Sequence, residues 1–404
     1  MAPTLQSLPP ELLEIIATKC IGFDEGLSRS LLQLRSTCRE IQLATRRLFV
    51  KRFFELRNIR LDTKKLVELD RIHDIPDLAQ AIRRLFVECI DDFYLRGSEN
   101  DNNLSDGPMC GLLERLLVRA FRRMKNPVAL TFVALDEDIC SRKDPYDGSS
   151  YTDVSTTFGA VIMATQAASL SVKSIDMWPN FDVDLDAFPS LGLRNFQAMP
   201  LFSDCFSGIK ELQLFLLLER WPTVGTLDKK QMGKQLATAL NYCENLEKLE
   251  LHFMEGPPYP GIFRNLAAKV LMPRLQSLEF HLLTCSLHDL SRSLARHAGT
   301  LRSCLLSTIE LESEVRSQVF KRFPTLLQDL CNMPALTKLH VDHVMVGRFE
   351  LSFRSRPHIS CSFEPLEEDY IEGSKDFETL VLEDDDLKVG LAEVIHGMMW
   401  VPKQ

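Results

Sequence analysis

Along most of this chain, apolar side chains fall in one short unit: an apolar residue, two others, an apolar residue, one polar residue and a third apolar residue. The clearest copy is Leu246, Leu249 and Leu251, in the string Asn245-Leu246-Glu247-Lys248-Leu249-Glu250-Leu251. Earlier copies are Ile82, Leu85 and Val87; Val172, Ile175 and Met177; Leu193, Phe196 and Ala198; and Ile209, Leu212 and Leu214. Later ones are Leu275, Leu278 and Phe280; Leu301, Cys304 and Leu306; Leu336, Leu339 and Val341; and Phe377, Leu380 and Leu382. A weaker copy falls on Pro127, Leu130 and Phe132. The last two positions alternate across one residue, which is strand periodicity. The first, three residues earlier, turns the chain into that strand.

Between copies the period changes to that of a helix. Lys229 to Tyr242 carries Met232, Leu236 and Leu240; Leu287 to Ala298 carries Leu287, Leu290 and Leu294; Phe320 to Cys331 carries Phe323, Leu326, Leu327 and Leu330. Ahead of Val87, the segment from Lys64 reads as a helix, a turn at Asp74-Ile75-Pro76-Asp77, a second helix and a strand. A strand followed by a returning helix cannot cover its own apolar face, so neighbouring units must stack. The expected fold class is therefore α/β. From Val172 onward the copies are spaced by about 16 to 41 residues, against about 20–29 in regular repeats, so insertions are expected. Polar, turn-forming stretches place these near 96–111, 136–157 and 352–376. Gly256-Pro257-Pro258-Tyr259-Pro260-Gly261 reads as a stiff excursion.

The first fifty residues follow another pattern. Leu8-Pro9-Pro10-Glu11-Leu12-Leu13-Glu14-Ile15-Ile16 starts a helix with proline in its first turn, where no N–H is needed, and Glu11 suits the dipole there. Leu12, Ile15 and Ile16 fall on one face. A second helix presents Leu27, Leu31 and Leu34, and a third runs from about Arg39 towards Phe54. Three helices of about fifty residues are near the lower limit for an independent core. Each aliphatic side chain left in water forgoes about 1.5–3 kcal/mol, so a partner protein is the natural cover.

The order Leu-Pro-x-Glu-Leu, followed by Leu31-Leu32-Gln33-Leu34-Arg35-Ser36-Thr37-Cys38-Arg39, resembles the F-box family. The resemblance implies that residues 1–52 form an F-box docking on a Skp-type adaptor, which links it to the cullin and RING subunits of an SCF-type ubiquitin ligase. Leu8, Pro9, Leu12, Ile15, Leu31, Leu34 and Cys38 match the motif's apolar positions and are the implied adaptor contacts. The stretch from Ile21 to Ser30 makes the first gap about five residues longer than usual, and the aromatic that often follows Cys-Arg is replaced by Ile41. Residues 53–400 resemble the irregular leucine-rich-repeat solenoids found behind fungal F-boxes. The implied function is a substrate-recognition adaptor for ubiquitin transfer. The competing class is a leucine-rich-repeat scaffold without a ligase role.

Composition narrows the chemistry. The chain has 404 residues and a formal net charge of -9, which argues against nucleic-acid binding through a basic surface. The basic pairs Arg46-Arg47, Lys51-Arg52, Arg83-Arg84 and Arg122-Arg123 are broken by apolar residues and read as solvated helix faces. No apolar run reaches the length of a membrane span and no signal peptide is visible, so an intracellular, cytoplasmic or nuclear protein is expected. Eleven scattered cysteines without a Cys-x-x-Cys pair read as reduced thiols. Phosphate-loop, dinucleotide and nucleophile-elbow motifs are absent, so no catalytic residue and no cofactor is assigned. His340 and His343 lack a nameable third ligand, so no metal is assigned either.

If the strands line a concave face, a protein substrate should meet their polar positions. The assigned contacts are Lys173, Arg194, Lys210, Lys248, Gln276, Lys338 and His340, with Asp176, Gln197, Gln213, Glu250 and Glu279 on the same count. Interspersed signs of charge fit a protein partner better than a polyanion.

Overall fold

A computed structural model describes residues 8–20, 27–61, 63–89, 108–126, 128–134, 150–153, 155–178, 187–192, 206–217, 229–254, 260–312, 316–346, 349–354, 376–377, 379–383 and 398–402. Four short helices come first: α1 (Pro10–Cys20), α2 (Leu27–Arg35), α3 (Arg39–Ala44) and α4 (Arg46–Phe54). The third sequence helix is thus two, broken at Thr45, whose buried hydroxyl donates to the Ile41 carbonyl at 2.6 Å.

Strand β1 (Leu56–Arg60) follows α4 at once, and then helices alternate with strands. Helices α5 (Thr63–His73) and α6 (Pro76–Ala81) precede β2 (Arg84–Cys89), as the pattern predicts. Next come α7 (Pro108–Phe121), β3 (Val128–Ala134), β4 (Ser150–Asp153), α8 (Ser155–Ala167), β5 (Val172–Trp178), β6 (Ala187–Gly192) and β7 (Glu211–Leu217). The regular part runs α9 (Lys229–Asn241), β8 (Lys248–Met254), α10 (Pro260–Lys269), β9 (Ser277–Ser286), α11 (Leu287–Arg296), β10 (Ser303–Glu312), α12 (Arg316–Cys331) and β11 (Lys338–Val346). Strands β12 (Phe349–Arg354), β13 (Asp376–Phe377), β14 (Thr379–Glu383) and β15 (Met398–Pro402) end the described chain.

The protein is α/β. Nine strands, β1, β2, β3, β5, β7, β8, β9, β10 and β11, lie side by side in one parallel sheet, with chain order equal to spatial order. One hydrophobic cluster runs the length of this sheet from Ile59 to Leu351, between the strands and the helices that return over one face. The repeat leucines fill it: Leu246, Leu249, Leu251, Leu275, Leu278, Leu301, Cys304, Leu306, Leu339 and Val341 are all buried.

The same hydrogen bonds recur at the starts of β2, β8, β9, β10 and β11. A single carbonyl accepts two successive N–H groups of the next unit: Glu55 from Arg83 and Arg84, Lys210 from Glu247 and Lys248, and Glu247 from Gln276 and Ser277. Gln276 accepts from Arg302 and Ser303, and Arg302 from Thr337 and Lys338, all five pairs at 2.7–3.0 Å. Just before this point, a turn bond closes on the first apolar position, as in Leu246 N–H to Cys243 carbonyl at 3.0 Å and Leu301 N–H to His297 carbonyl at 2.9 Å. The sequence unit thus has a backbone counterpart.

Several expectations are corrected. Of the loop expected near 96–111, residues 96–107 lie outside the described residues, and Pro108 already starts α7, with proline where the N–H is not needed. That near 136–157 contains β4 and the start of α8, and Pro260-Gly261 begins α10. The region near 352–376 holds the end of β12 and the start of β13. The copy at Phe377, Leu380 and Leu382 is not another parallel unit: β14 pairs antiparallel with β11, and Phe377 faces Phe353 on β12. Leu193, Phe196 and Ala198 lie outside the described residues, as do Arg194 and Gln197. A boundary at 52 falls inside α4, which runs unbroken to Phe54.

Candidate interaction surfaces

The four N-terminal helices bury one set of side chains and expose another. Leu13 and Ala17, four apart on α1, pack inward with Leu31, Ile41 and Thr45. Leu12 and Ile15, a turn apart on another face of α1, are 46% and 54% exposed, and Leu32 and Leu43 are 47% and 59% exposed. Single exposed leucines are ordinary; four on about thirty residues are not. Of the motif-matched set, Pro9, Leu12 and Ile15 are exposed, while Leu8, Leu34 and Cys38 are half-buried. Leu31 is the correction: at 1% exposure it belongs to the helices' own core.

The motif arginine has a structural task. Arg35 Nη1 donates to the Gln42 carbonyl at 2.8 Å and to Thr45 Oγ1 at 3.2 Å, and its guanidinium lies 4.1 Å from the Phe49 ring centroid. Burial, then the nearby Arg46, draws it below the usual arginine value. It pins α2 to the break between α3 and α4, so that the exposed face is held on a fixed frame.

On the sheet, the face away from the helices carries in-register rows. The first runs Leu56, Arg84, Ala129, Ser174, Glu211, Lys248, Ser277, Ser303 and Lys338 across all nine strands. From β7 to β11 the second is Gln213, Glu250, Glu279, Leu305 and His340, and the third Phe215, His252, His281, Ser307 and Asp342. The assigned substrate contacts therefore do not share a row. Lys173, Lys210 and Gln276 sit at the lead-in positions and are exposed; Lys248 and Lys338 occupy the first row, His340 the second. Lys210 is engaged by Glu247 at 2.7 Å, and Lys248 by Glu279 at 3.0 Å and Glu250 at 3.2 Å.

Around Glu250 the face is a connected network. Glu250 Oε1 accepts from Gln213 at 2.8 Å and lies 2.7 Å from His252 Nε2. Burial raises its carboxyl, but the bonds from His252 and the charge of Lys248 outweigh that and hold it down at about 2. Burial lowers Lys248, yet Glu279 and Glu250 keep it above the ordinary lysine value. The His252 ring stacks on Phe215 at 4.1 Å and on His281 at 4.0 Å with 2° between planes. Burial and the His252 imidazole push His281 down to about 4, and its Nε2 is buried with no hydrogen-bond partner.

Sequence reasoning missed this stack because it stopped at the third apolar position. The next outward residue of each unit, Phe215, His252 and His281, was the available signal. Glu250, His252 and His281 are also the one group of three or more metal-capable side chains among the described residues, with donor atoms within 4.8 Å of one another. Two parallel imidazoles 4.0 Å apart aim their lone pairs side by side, so a cation between them would lie outside both ring planes. Chelation would require the stack to break. Among the described residues, His340 and His343 belong to no such group of three; His343 sits in a bulge.

That bulge was not foreseen either. Leu282, Thr308 and His343 have φ of 56°, 54° and 46° and occupy equivalent places in β9, β10 and β11, each skipped in the register. Each extra residue shifts the inward parity by one, from Leu278 and Phe280 to Leu283 and Cys285 on β9.

Among the described residues, Cys38, Cys89, Cys243, Cys285 and Cys304 are free thiols, and burial raises Cys243 and Cys304 to about 12, which suits packing rather than reactivity. No helix among them is long and apolar enough to cross a membrane. In comparisons with known proteins, the chain matches no family model and no curated protein.

Proposed function

We infer that this chain is a non-catalytic recognition subunit, the substrate adaptor of an SCF-type cullin-RING ubiquitin ligase. Helices α1–α4 are its F-box and dock on a Skp-type adaptor. The alternating strands and helices form an irregular leucine-rich-repeat-like solenoid, and its polar rows receive a protein substrate. Chemistry resides in the other subunits; this protein contributes proximity, raising the effective concentration of substrate lysines near the ligase.

One observation carries the reading. The motif that opens at Leu8-Pro9 leaves Leu12 and Ile15 in water while Leu13 and Ala17 hold the helices together. A helix cap serving only its own solenoid has no use for the first pair. The mixed charges of the polar rows, Lys248 and Lys338 beside Glu211, Glu250 and Glu279, favour a protein substrate.

Affinity capture of the chain followed by mass spectrometry tests adaptor and substrate together. A Skp-type adaptor, a cullin and a RING subunit are expected with the wild type, and Leu12→Asp is expected to lose all three while retaining substrate. Equal recovery of the ligase subunits by the mutant would overturn the assignment.

A further inference from the structure

Two of the four basic pairs that the sequence scatters along the chain converge on one cleft. Its floor is the start of the first sheet row, Leu56, Arg84, Ala129, Ser174 and Glu211, and its roof is α4 with Thr18 of α1. The cavity is about 940 Å³. Lys51 and Arg52 descend from α4, Arg83 and Arg84 rise from the start of β2, and Lys173 comes from β5. Against these five cations stand two lining carboxylates, Glu55 and Glu211.

The five cations differ from several other basic side chains nearby, which are ion-paired. Arg46 is paired with Asp77 at 2.7 Å, Lys210 with Glu247, and Arg119 and Arg123 with Asp70. Lys51, Arg52, Arg83, Arg84 and Lys173 take part in no ion pair among the described residues. Asp176, one outward position beyond Ser174, senses Arg84, but burial holds its carboxyl above the ordinary aspartate value. Like charges collected in a concavity, on three separate elements of an otherwise acidic protein, concentrate a positive potential there. Three of the five are arginines, whose planar forks suit phosphate oxygens. A phosphate group carries about -1.5 to -2 at neutral pH, so one leaves the cleft positive and two or more balance it.

We propose that this cleft, between the N-terminal helices and the first row of the sheet, binds a small soluble anion carrying two or more phosphate groups. The proposal does not depend on the ubiquitin-ligase reading. Adaptor capture and anion binding are separate readouts on the same preparation, so failure of one leaves the other standing.

Titration calorimetry of the full chain with tripolyphosphate, at constant ionic strength, is the test, with inorganic phosphate and sulfate as comparison probes. Saturable one-to-one binding is expected, at least about tenfold tighter for tripolyphosphate than for phosphate. A lost charge-assisted bond is worth about tenfold or more, so Arg84→Glu and Lys51→Glu should each weaken it by that factor. Lys321→Glu, exposed on α12 and outside the cleft, should leave it unchanged. Thermal unfolding checks that each variant is folded; should Arg84→Glu fail, Lys51→Glu on the exposed side of α4 decides alone. Absence of saturable heat, equal affinity for sulfate and tripolyphosphate, or equal weakening by Lys321→Glu would each overturn the proposal.

Discussion

Two glycine-to-alanine substitutions, both in helix interiors, should move stability in opposite directions. Helix propensity alone favours alanine over glycine by about 1 kcal/mol at either site. Beyond its own helix backbone, Gly159 on α8 has nothing within 4 Å of where a Cβ would stand, so Gly159→Ala should realise most of that gain. Gly233 on α9 is buried against α10, where a Cβ would meet the Ile262 Cα at 2.8 Å and its carbonyl oxygen at 3.1 Å. Carbon atoms settle at about 3.5–4.0 Å, so the two helices must part by more than half an ångström. The Asn265 amide, at 3.2 Å, is a side chain that can yield, but the two nearest obstacles are backbone, and Ile262 and Phe263 are themselves buried. Overpacking of this kind costs about 1–3 kcal/mol, which exceeds the propensity gain and leaves Gly233→Ala destabilised by up to about 2 kcal/mol. Urea unfolding followed by circular dichroism reads both. A midpoint raised by Gly159→Ala and lowered by Gly233→Ala is expected. Equal increases at both sites would refute the close backbone approach of successive helices on which the stacked layer depends.

Acid should destabilise the protein in two windows. His281 falls from an ordinary 6.5 to about 4 on folding, so the unfolded chain takes up that proton first and stability is lost as pH drops from about 6.5 towards 4. Glu250, at about 2 against 4.5, adds a loss between about pH 4.5 and 2. Burial also lowers His297, so thermal midpoints of His281→Phe should show a smaller upper-window loss than the wild type and an unchanged lower one. Thr308 is β-branched at φ 54°, a conformation that costs about 1–2 kcal/mol, so Thr308→Asn should raise the urea midpoint; a lowered midpoint would count against the three-strand bulge. Leu12→Asp should leave the circular dichroism of α1–α4 unchanged, whereas Leu13→Asp puts a charge into a site 4% exposed and should melt them. Charge reversal of both Lys248 and Lys338 should weaken substrate capture, and unchanged capture would exclude the first row from the interface.

The regular half of the fold was legible because each unit repeats one physical problem, an apolar strand face that only the next unit covers. Leu246, Leu249 and Leu251 announce a strand, and Leu236 and Leu240 the helix behind it, without reference to distant residues. What stayed hidden depends on neighbours. The bulge at Leu282, Thr308 and His343 recurs at equivalent places in three neighbouring strands, and none of those residues favours positive φ. The antiparallel return of β14 keeps the same alternation as a parallel unit, so periodicity cannot give its direction. The outward network was half legible: polar slots were found, but which partner each charge takes depends on register, which pairs Lys248 with Glu279 from the adjoining strand. Leu31 shows the same limit at the N-terminus, where a motif marks an apolar position without saying whether it faces in or out.

The central claim is that α1–α4 hold apolar side chains ready for a second polypeptide. Size-exclusion chromatography with light scattering, on the 46.1 kDa chain mixed with a purified Skp-type adaptor, tests it most directly. A one-to-one complex with the wild type, and separate species with Leu12→Asp and Ile15→Asp, is the expected result. Separate species with the wild type, or a complex that both variants retain, would contradict it.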